Sequence, residues 1–290
     1  MTQVGNPMPK RLRILLILGR VSNLPTVWSN CLVGWWLGRG ASISELIQLC
    51  ISASLLYLSG MYLNDVFDAE FDRRHRPERP IPAGSIEPRT VWQLGAIFMV
   101  AGIVGMGLLG TQPLIWAIVL AATIIVYNAC HKTWSHAPLL MALCRCLLVL
   151  AAGSTTDVGI EGRTAWIALS LTAYVIGLSY LARLESTGGD PPWPLALIAA
   201  PVVYSLIINN GATRLRGLAF AAILVLWVVF CLRSTLGSPP RNYGKTVAGL
   251  LAGIVLVDML AILGGTPEWT IALAFLFLVS LVMQRFIPAT

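Results

Sequence analysis

The chain has 290 residues, of which 57% are hydrophobic and 11% charged, and its mean hydropathy is +0.76. A soluble domain carries about 25% charged residues, so the composition excludes a soluble enzyme and implies a polytopic protein of the lipid bilayer. The net charge of +7 would suggest nucleic acid in a soluble chain. Here the basic residues flank apolar runs, and the positive-inside rule accounts for them with no nucleic-acid partner. The cysteines (Cys31, Cys50, Cys130, Cys144, Cys146 and Cys231) lie in or beside apolar segments without a CxxC pair. They read as small buried hydrophobes.

In chain order, Ile14 to Leu18 is too short an apolar run for a signal peptide, and Arg20 ends it. The N-terminus therefore reads as an uncleaved cytoplasmic tail. Candidate spans follow at 21–38, 44–63, 91–110, 113–130, 139–156, 164–182, 193–209, 217–234, 246–264 and 269–287, each near the length a spanning helix needs. Only Gly265-Thr266-Pro267-Glu268 separates the last two, so the expectation is an all-α bundle of nine or ten helices forming one domain over 1–290. With the N-terminus inside, Lys10, Arg11, Arg13, Arg20, Lys132, Arg183 and the arginines of 73–89 are cytoplasmic. Arg39, Arg163, Arg214 and Arg216 fall outside. That bias orients the chain in the cell (inner) membrane.

The stretch Asn64-Asp65-Val66-Phe67-Asp68-Ala69-Glu70-Phe71-Asp72 stands where an apolar run meets a basic one. At helical spacing Asn64, Asp65, Asp68 and Asp72 share an arc of about 100°, with Glu70 on the other side. Crowded carboxylates repel unless a cation neutralises them. An oxygen-only set suits Mg²⁺, which bridges readily to phosphate; the bland alternative is a solvated helix end. The Asp72–Thr90 loop is rich in proline and arginine. It is expected to carry a short helix whose arginines face the carboxylates, since arginine pairs bidentately with phosphate. Arg20 is either an interfacial side chain or an anion contact facing the bundle. Tyr127 and Lys132 close the fourth span; an aromatic belt with an inner-surface lysine would also explain them. Arg145 sits well inside the fifth span, and a cation there is by default a functional residue. The sixth span ends in a second polar cluster, Tyr180 to Asp190. The last spans, which include Asp258, read as bundle wall.

Asn64-Asp65-x-x-Asp68-x-x-x-Asp72 resembles the NDxxDxxxD motif of the UbiA-type intramembrane prenyltransferases. Arg76-Pro-x-Arg-Pro-Ile-Pro-x-Gly84 looks like that family's following loop. The Arg20–Asn30 and Tyr180–Gly189 runs look most like its EboC-like branch. The resemblance implies a helical bundle around a lateral, lipid-facing cavity. It also implies Mg²⁺-dependent transfer of an isoprenyl group from an isoprenyl diphosphate to a small, hydrophobic or aromatic acceptor. Residues and resemblance together imply Asn64, Asp65, Asp68 and Asp72 as metal ligands, with Glu185 a further candidate. They imply Asp68, Asp72, Tyr127 and Lys132 as the catalytic set, and Arg20, Asn64, Arg79, Arg145 and Arg183 as substrate-binding. Two departures stand out. His131 occupies the lysine position of the family's YxxxK element, with Lys132 one residue later. The family's second DxxxD set is absent, because Glu185 has Leu181 and Gly189 at its i±4 positions; Arg183 is expected to replace part of the missing metal's charge. The rival reading is a non-catalytic polyprenyl-lipid binder or transporter on the same fold. An ion transporter fits poorly, because the carboxylates lie at a helix end rather than mid-membrane.

Overall fold

A computed structural model describes residues 10–156, 158–187, 193–236 and 242–289. In chain order the α-helices are α1 (Lys10–Leu18), α2 (Leu24–Leu37), α3 (Ile43–Phe67), α4 (Ala69–His75), α5 (Pro88–Gly107), α6 (Thr111–Cys130), α7 (Ala137–Gly153), α8 (Gly162–Thr187), α9 (Ala200–Ile208), α10 (Arg214–Leu236), α11 (Tyr243–Ala261) and α12 (Pro267–Met283). Among the described residues α3, α5, α6, α8, α10 and α11 are long and apolar enough to cross a membrane; α7, Trp193–Ile208 and α12 are shorter apolar helices. Every expected span coincides with a helix. Three features were not expected. Part of the presumed N-terminal tail is the helix α1, which lays Ile14, Leu15 and Leu18 against Tyr62, Ile81 and Val91. The span at 193–209 divides into a 3-10 turn, Trp193–Ala199, and the short α9, because Pro194 and Pro201 each remove a backbone donor. The motif helix also changes at Asp68, which caps α3 and starts α4.

Polarity is inverted relative to a soluble bundle. Apolar side chains at helical spacing lie exposed on outer faces, such as Ile97, Val100, Val104 and Leu108 on α5, and Ile271, Phe275, Leu278 and Val282 on α12. Such stripes have no water-compatible explanation and face lipid. Of the candidate spans among the described residues α11 is the most buried, and the burial runs unbroken from Ala252 past the helix end to Leu263. Close backbone approach sets the register of α2 on α7. A Cβ at Gly34 would lie 2.5 Å from the carbonyl oxygen of Val149, so only glycine fits. One turn before that contact on each helix, Asn30 meets Arg145.

Candidate active site at the mouth of the bundle

The motif survives the helix break because backbone spacing continues through it. Asp68 N–H donates to the Asn64 carbonyl (2.9 Å) and Asp72 N–H to the Asp68 carbonyl (2.8 Å). Asn64, Asp65, Asp68 and Asp72 are thus buried on one side, at 7%, 7%, 4% and 1% exposure. Glu70 faces away and pairs with Arg73 and Arg74 on the surface. This corrects the expectation for the basic helix: its arginines serve Glu70, and the cation that reaches the carboxylates comes from the loop after it. Arg79 Nη1 lies 2.8 Å from Asp72 Oδ2 and 3.4 Å from Asp65 Oδ1. The loop aims Arg79 by folding on itself. Ala83 N–H donates to the Arg79 carbonyl, Ser85 N–H to the Pro80 carbonyl, and Gly84 closes the turn at φ 69, a conformation glycine adopts without strain. Ile81 is buried in the small core beneath it.

Arg20 reaches the same carboxylate cluster. Its Nη2 lies 3.5 Å from Asp65 Oδ1, and its Nη1 donates to the sulfur of Met61 at 3.0 Å. The Arg20 backbone is left-handed, φ 42 and ψ 49, a strained setting of the kind found at functional positions. His131 Nε2 and Lys132 Nζ each lie 3.1 Å from an oxygen of Asp68, and Lys132 also sits over the Phe71 ring at 4.1 Å. Burial pushes the Asp68 carboxyl up, but the hydrogen bond and charge of His131 and the charge of Lys132 outweigh it, leaving its pKa below the ordinary value. Both residues of the departed lysine element therefore reach the same carboxylate. Tyr127 stacks on His131, ring centroids 5.1 Å apart. Asn64 donates to Asn128 Oδ1 at 3.2 Å, and Asn128 donates to the Gly60 carbonyl. Asn128 escaped the sequence reading, although it adjoins Tyr127.

Beneath the mouth lies an apolar cavity walled by Ala53, Leu56, Leu120, Ile124 and Leu148, with Tyr57, Tyr127, Asn128 and Arg145 as its polar groups. Arg145 is fixed there by two neutral acceptors: Nη1 donates to Asn30 Oδ1 (2.9 Å) and Nη2 to Thr26 Oγ1 (3.0 Å). Asn30 in turn donates to Asp258 Oδ2 at 2.7 Å. Asp258, read as bundle wall, was missed. The signal was present, since a lone carboxylate in an apolar span calls for the same reading as Arg145.

Arg183 reaches the loop after α6. Its Nη1 donates to the carbonyls of Trp134 (3.2 Å) and Ser135 (2.6 Å), and His136 meets the Tyr180 hydroxyl at 3.2 Å. Through these bonds it braces the loop that carries His131 and Lys132. The side chain of Glu185 and all of residues 188–192 lie outside the described residues. Among the described residues no three Asp, Glu, His or Cys groups converge on one point as a ready metal cage; the carboxylates engage cations instead. The donor set still fits Mg²⁺. It is all oxygen, and Asp72 Oδ1 is buried with no hydrogen-bond partner, an acceptor the protein itself does not satisfy.

Apolar outer faces, buried carboxylates met by basic side chains and an apolar cavity together mark a helical membrane protein with a polar centre. The chain belongs to the UbiA prenyltransferase family, whose pattern matches residues 24–288; it is a prenyltransferase and an integral multi-pass membrane protein. It is 33% identical over 254 residues to the digeranylgeranylglyceryl phosphate synthase of Methanoculleus marisnigri, covering 84% of this chain and 82% of that one. It is 27% identical over 233 residues to the synthase of the same name from Metallosphaera sedula, covering 78% and 75%. Its fold is similar to that of a UbiA homologue from Archaeoglobus fulgidus solved with GPP and Mg²⁺, with a TM-score of 0.54 at 14% identity over 93% of this chain and 98% of the other.

Proposed function

We propose that the protein transfers an isoprenyl group from an isoprenyl diphosphate to a hydrophobic acceptor inside the membrane, with Mg²⁺ at Asn64, Asp65, Asp68 and Asp72. The observation that carries this reading is the stacking of three buried aspartates, each paired with a cation, over an apolar cavity. Bound Mg²⁺ would neutralise the diphosphate and make it a better leaving group. The chain's own residues do the rest. Arg20, Arg79, His131 and Lys132 stand where they can turn from carboxylate to phosphate oxygens. Arg79 would clamp, since it already spans Asp65 and Asp72. The cavity receives the isoprenyl chain, and its apolar walls keep water from the electron-poor allylic carbon, so the acceptor attacks it instead.

The mouth is assigned to the cytoplasmic side of the cell membrane, on the lysine and arginine bias. Maleimide labelling of Ser85→Cys in a background without the native cysteines tests this: labelling from outside intact cells contradicts it. For the acceptor, the names of the curated relatives make a glyceryl phosphate ether lipid the first compound to try, followed by hydroxylated aromatic acids. The test of the reaction uses purified protein in nanodiscs with labelled geranyl and geranylgeranyl diphosphates and these acceptors. Prenylated product with release of one diphosphate per product, abolished by EDTA, is expected. Tight donor binding without release, under every acceptor, would turn the reading to a polyprenyl-lipid binder.

A further inference from the structure

At the mouth Arg20, Arg79, His131 and Lys132 each meet a carboxylate. Arg145 is different. Its two hydrogen bonds go to neutral oxygens, those of Asn30 and Thr26, and its face lies 6.0 Å from the Tyr57 ring centroid. The carboxylate that balances it, Asp258, is held one residue away by the Asn30 amide. Asp258 Oδ1 has no well-formed hydrogen bond of its own. A guanidinium carries five N–H donors, and no hydrogen bond from Nε occurs among the described residues. A charge in lipid is costly. Had α2, α7 and α11 needed only a tie, a direct Arg145–Asp258 pair would have served it. The spacing amide instead leaves a cation on the cavity wall with donors to spare.

Its depth bears on the ligand. Tyr57 is two turns and a fraction along α3 from Asp65, about 12 Å at 1.5 Å per residue. Arg145 lies level with Tyr57, in the cavity that also touches Asn128 and Met61 beneath the mouth. A purely apolar isoprenyl chain gains nothing from a guanidinium. An oxyanion does, because it would supply the direct charge contact that no group among the described residues makes.

We infer that Arg145, set by Asn30 and Thr26, is the anchor for an oxyanion carried by the acceptor, a carboxylate or a phosphate, and so selects acceptors whose anionic group lies within roughly one head group of the reacting atom. This inference rests on the prenyl-transfer reading for its meaning but is testable by binding alone. Cys144 lines the same cavity beside Arg145, so its modification by methyl methanethiosulfonate, a small uncharged reagent reactive enough for a buried thiol, reports occupancy without turnover. The probes are geranylgeranylglyceryl phosphate and 4-hydroxybenzoate, against their uncharged partners geranylgeranylglycerol and phenol. Cys144 modification is read by peptide mass spectrometry on the whole protein, with no donor or Mg²⁺ present.

One of the two oxyanions should protect Cys144 at concentrations about ten- to a hundredfold below its neutral partner. Which one does so distinguishes the lipid phosphate from the aromatic acid. Arg145→Gln should erase that difference, and Arg145→Lys should restore part of it. Protection that is equal for charged and neutral partners, unchanged in Arg145→Gln, or absent for both oxyanions overturns the inference. A merely structural Arg145 would lower thermal stability in Arg145→Gln while the charged-to-neutral ratio stayed at its wild-type value, which also overturns it. Loss of prenyl transfer with the protection pattern intact would instead count against the proposed reaction and leave the anchor standing.

Discussion

The carboxylate cluster at the mouth and the Arg145–Asn30–Asp258 chain in the interior are built on opposite plans. At the mouth, carboxylates meet basic side chains directly: Arg20 and Arg79 on Asp65, Arg79 on Asp72, His131 and Lys132 on Asp68. In the middle of the bundle, Arg145 and Asp258 are separated by an amide and a hydroxyl supplies the other contact. Direct pairs near water exchange partners cheaply, because desolvation is partial and other donors are near. A deep pair has no such exchange and must be satisfied in place. The mouth is therefore suited to take in and release a charged group, and the interior to hold one cation fixed for a ligand that arrives later.

The largest effect is expected at the mouth. Asp68→Asn should lower Mg²⁺-dependent diphosphate release by about 10²-fold or more, while the protein still elutes as a folded species from size exclusion. Wild-type release would remove Asp68 from the reacting centre. Next comes the brace. Arg183→Ala should cut turnover by about five- to tenfold through the 134–135 loop. Its effect should be less than additive with Lys132→Ala, whereas independent effects would mean that Arg183 acts without the loop. In the interior, Asp258→Ala strands Asn30 and should cost about 1–3 kcal/mol of thermal stability. The KM for donor should not move; a donor KM that rises as for a mouth variant would merge the two centres into one. The smallest effect is at Glu70, which pairs with the surface arginines Arg73 and Arg74. Glu70→Gln should change turnover by less than about threefold, and a loss like that of Asp68 would mean that the α3–α4 spacing is wrong.

Much of this was legible in the residues. Apolar runs separated by Pro, Gly and charge gave the helices, because a spanning segment must satisfy its backbone internally and needs a fixed length. The four motif positions followed from helical period alone, and the period held through the break at Asp68. Helix α1 was not legible, since Lys10, Arg11 and Arg13 disguise a short amphipathic segment whose partners, Tyr62, Ile81 and Val91, are distant in sequence. The service of Arg79, rather than Arg73 or Arg74, to the carboxylates depends on a loop that folds back through Gly84, and no periodicity encodes that. The contacts of Arg183 with the 134–135 carbonyls and of Asp258 with Asn30 were not legible, for a common reason. The meaning of a charge in an apolar chain lies in its partner, and Trp134 and Asn30 stand far from them in sequence.

The central claim is that Asn64 to Asp72 forms the metal and diphosphate site. The most direct measurement is a crystal or lipid-phase structure with Mn²⁺ in place of Mg²⁺ and a non-hydrolysable diphosphate analogue, read by anomalous scattering. The account predicts at least one strong peak within coordination distance of oxygens from Asp65, Asp68 or Asp72, with Arg79 and Lys132 turned toward the phosphates. An analogue bound with no peak at those carboxylates, or a peak elsewhere in the bundle, would contradict it.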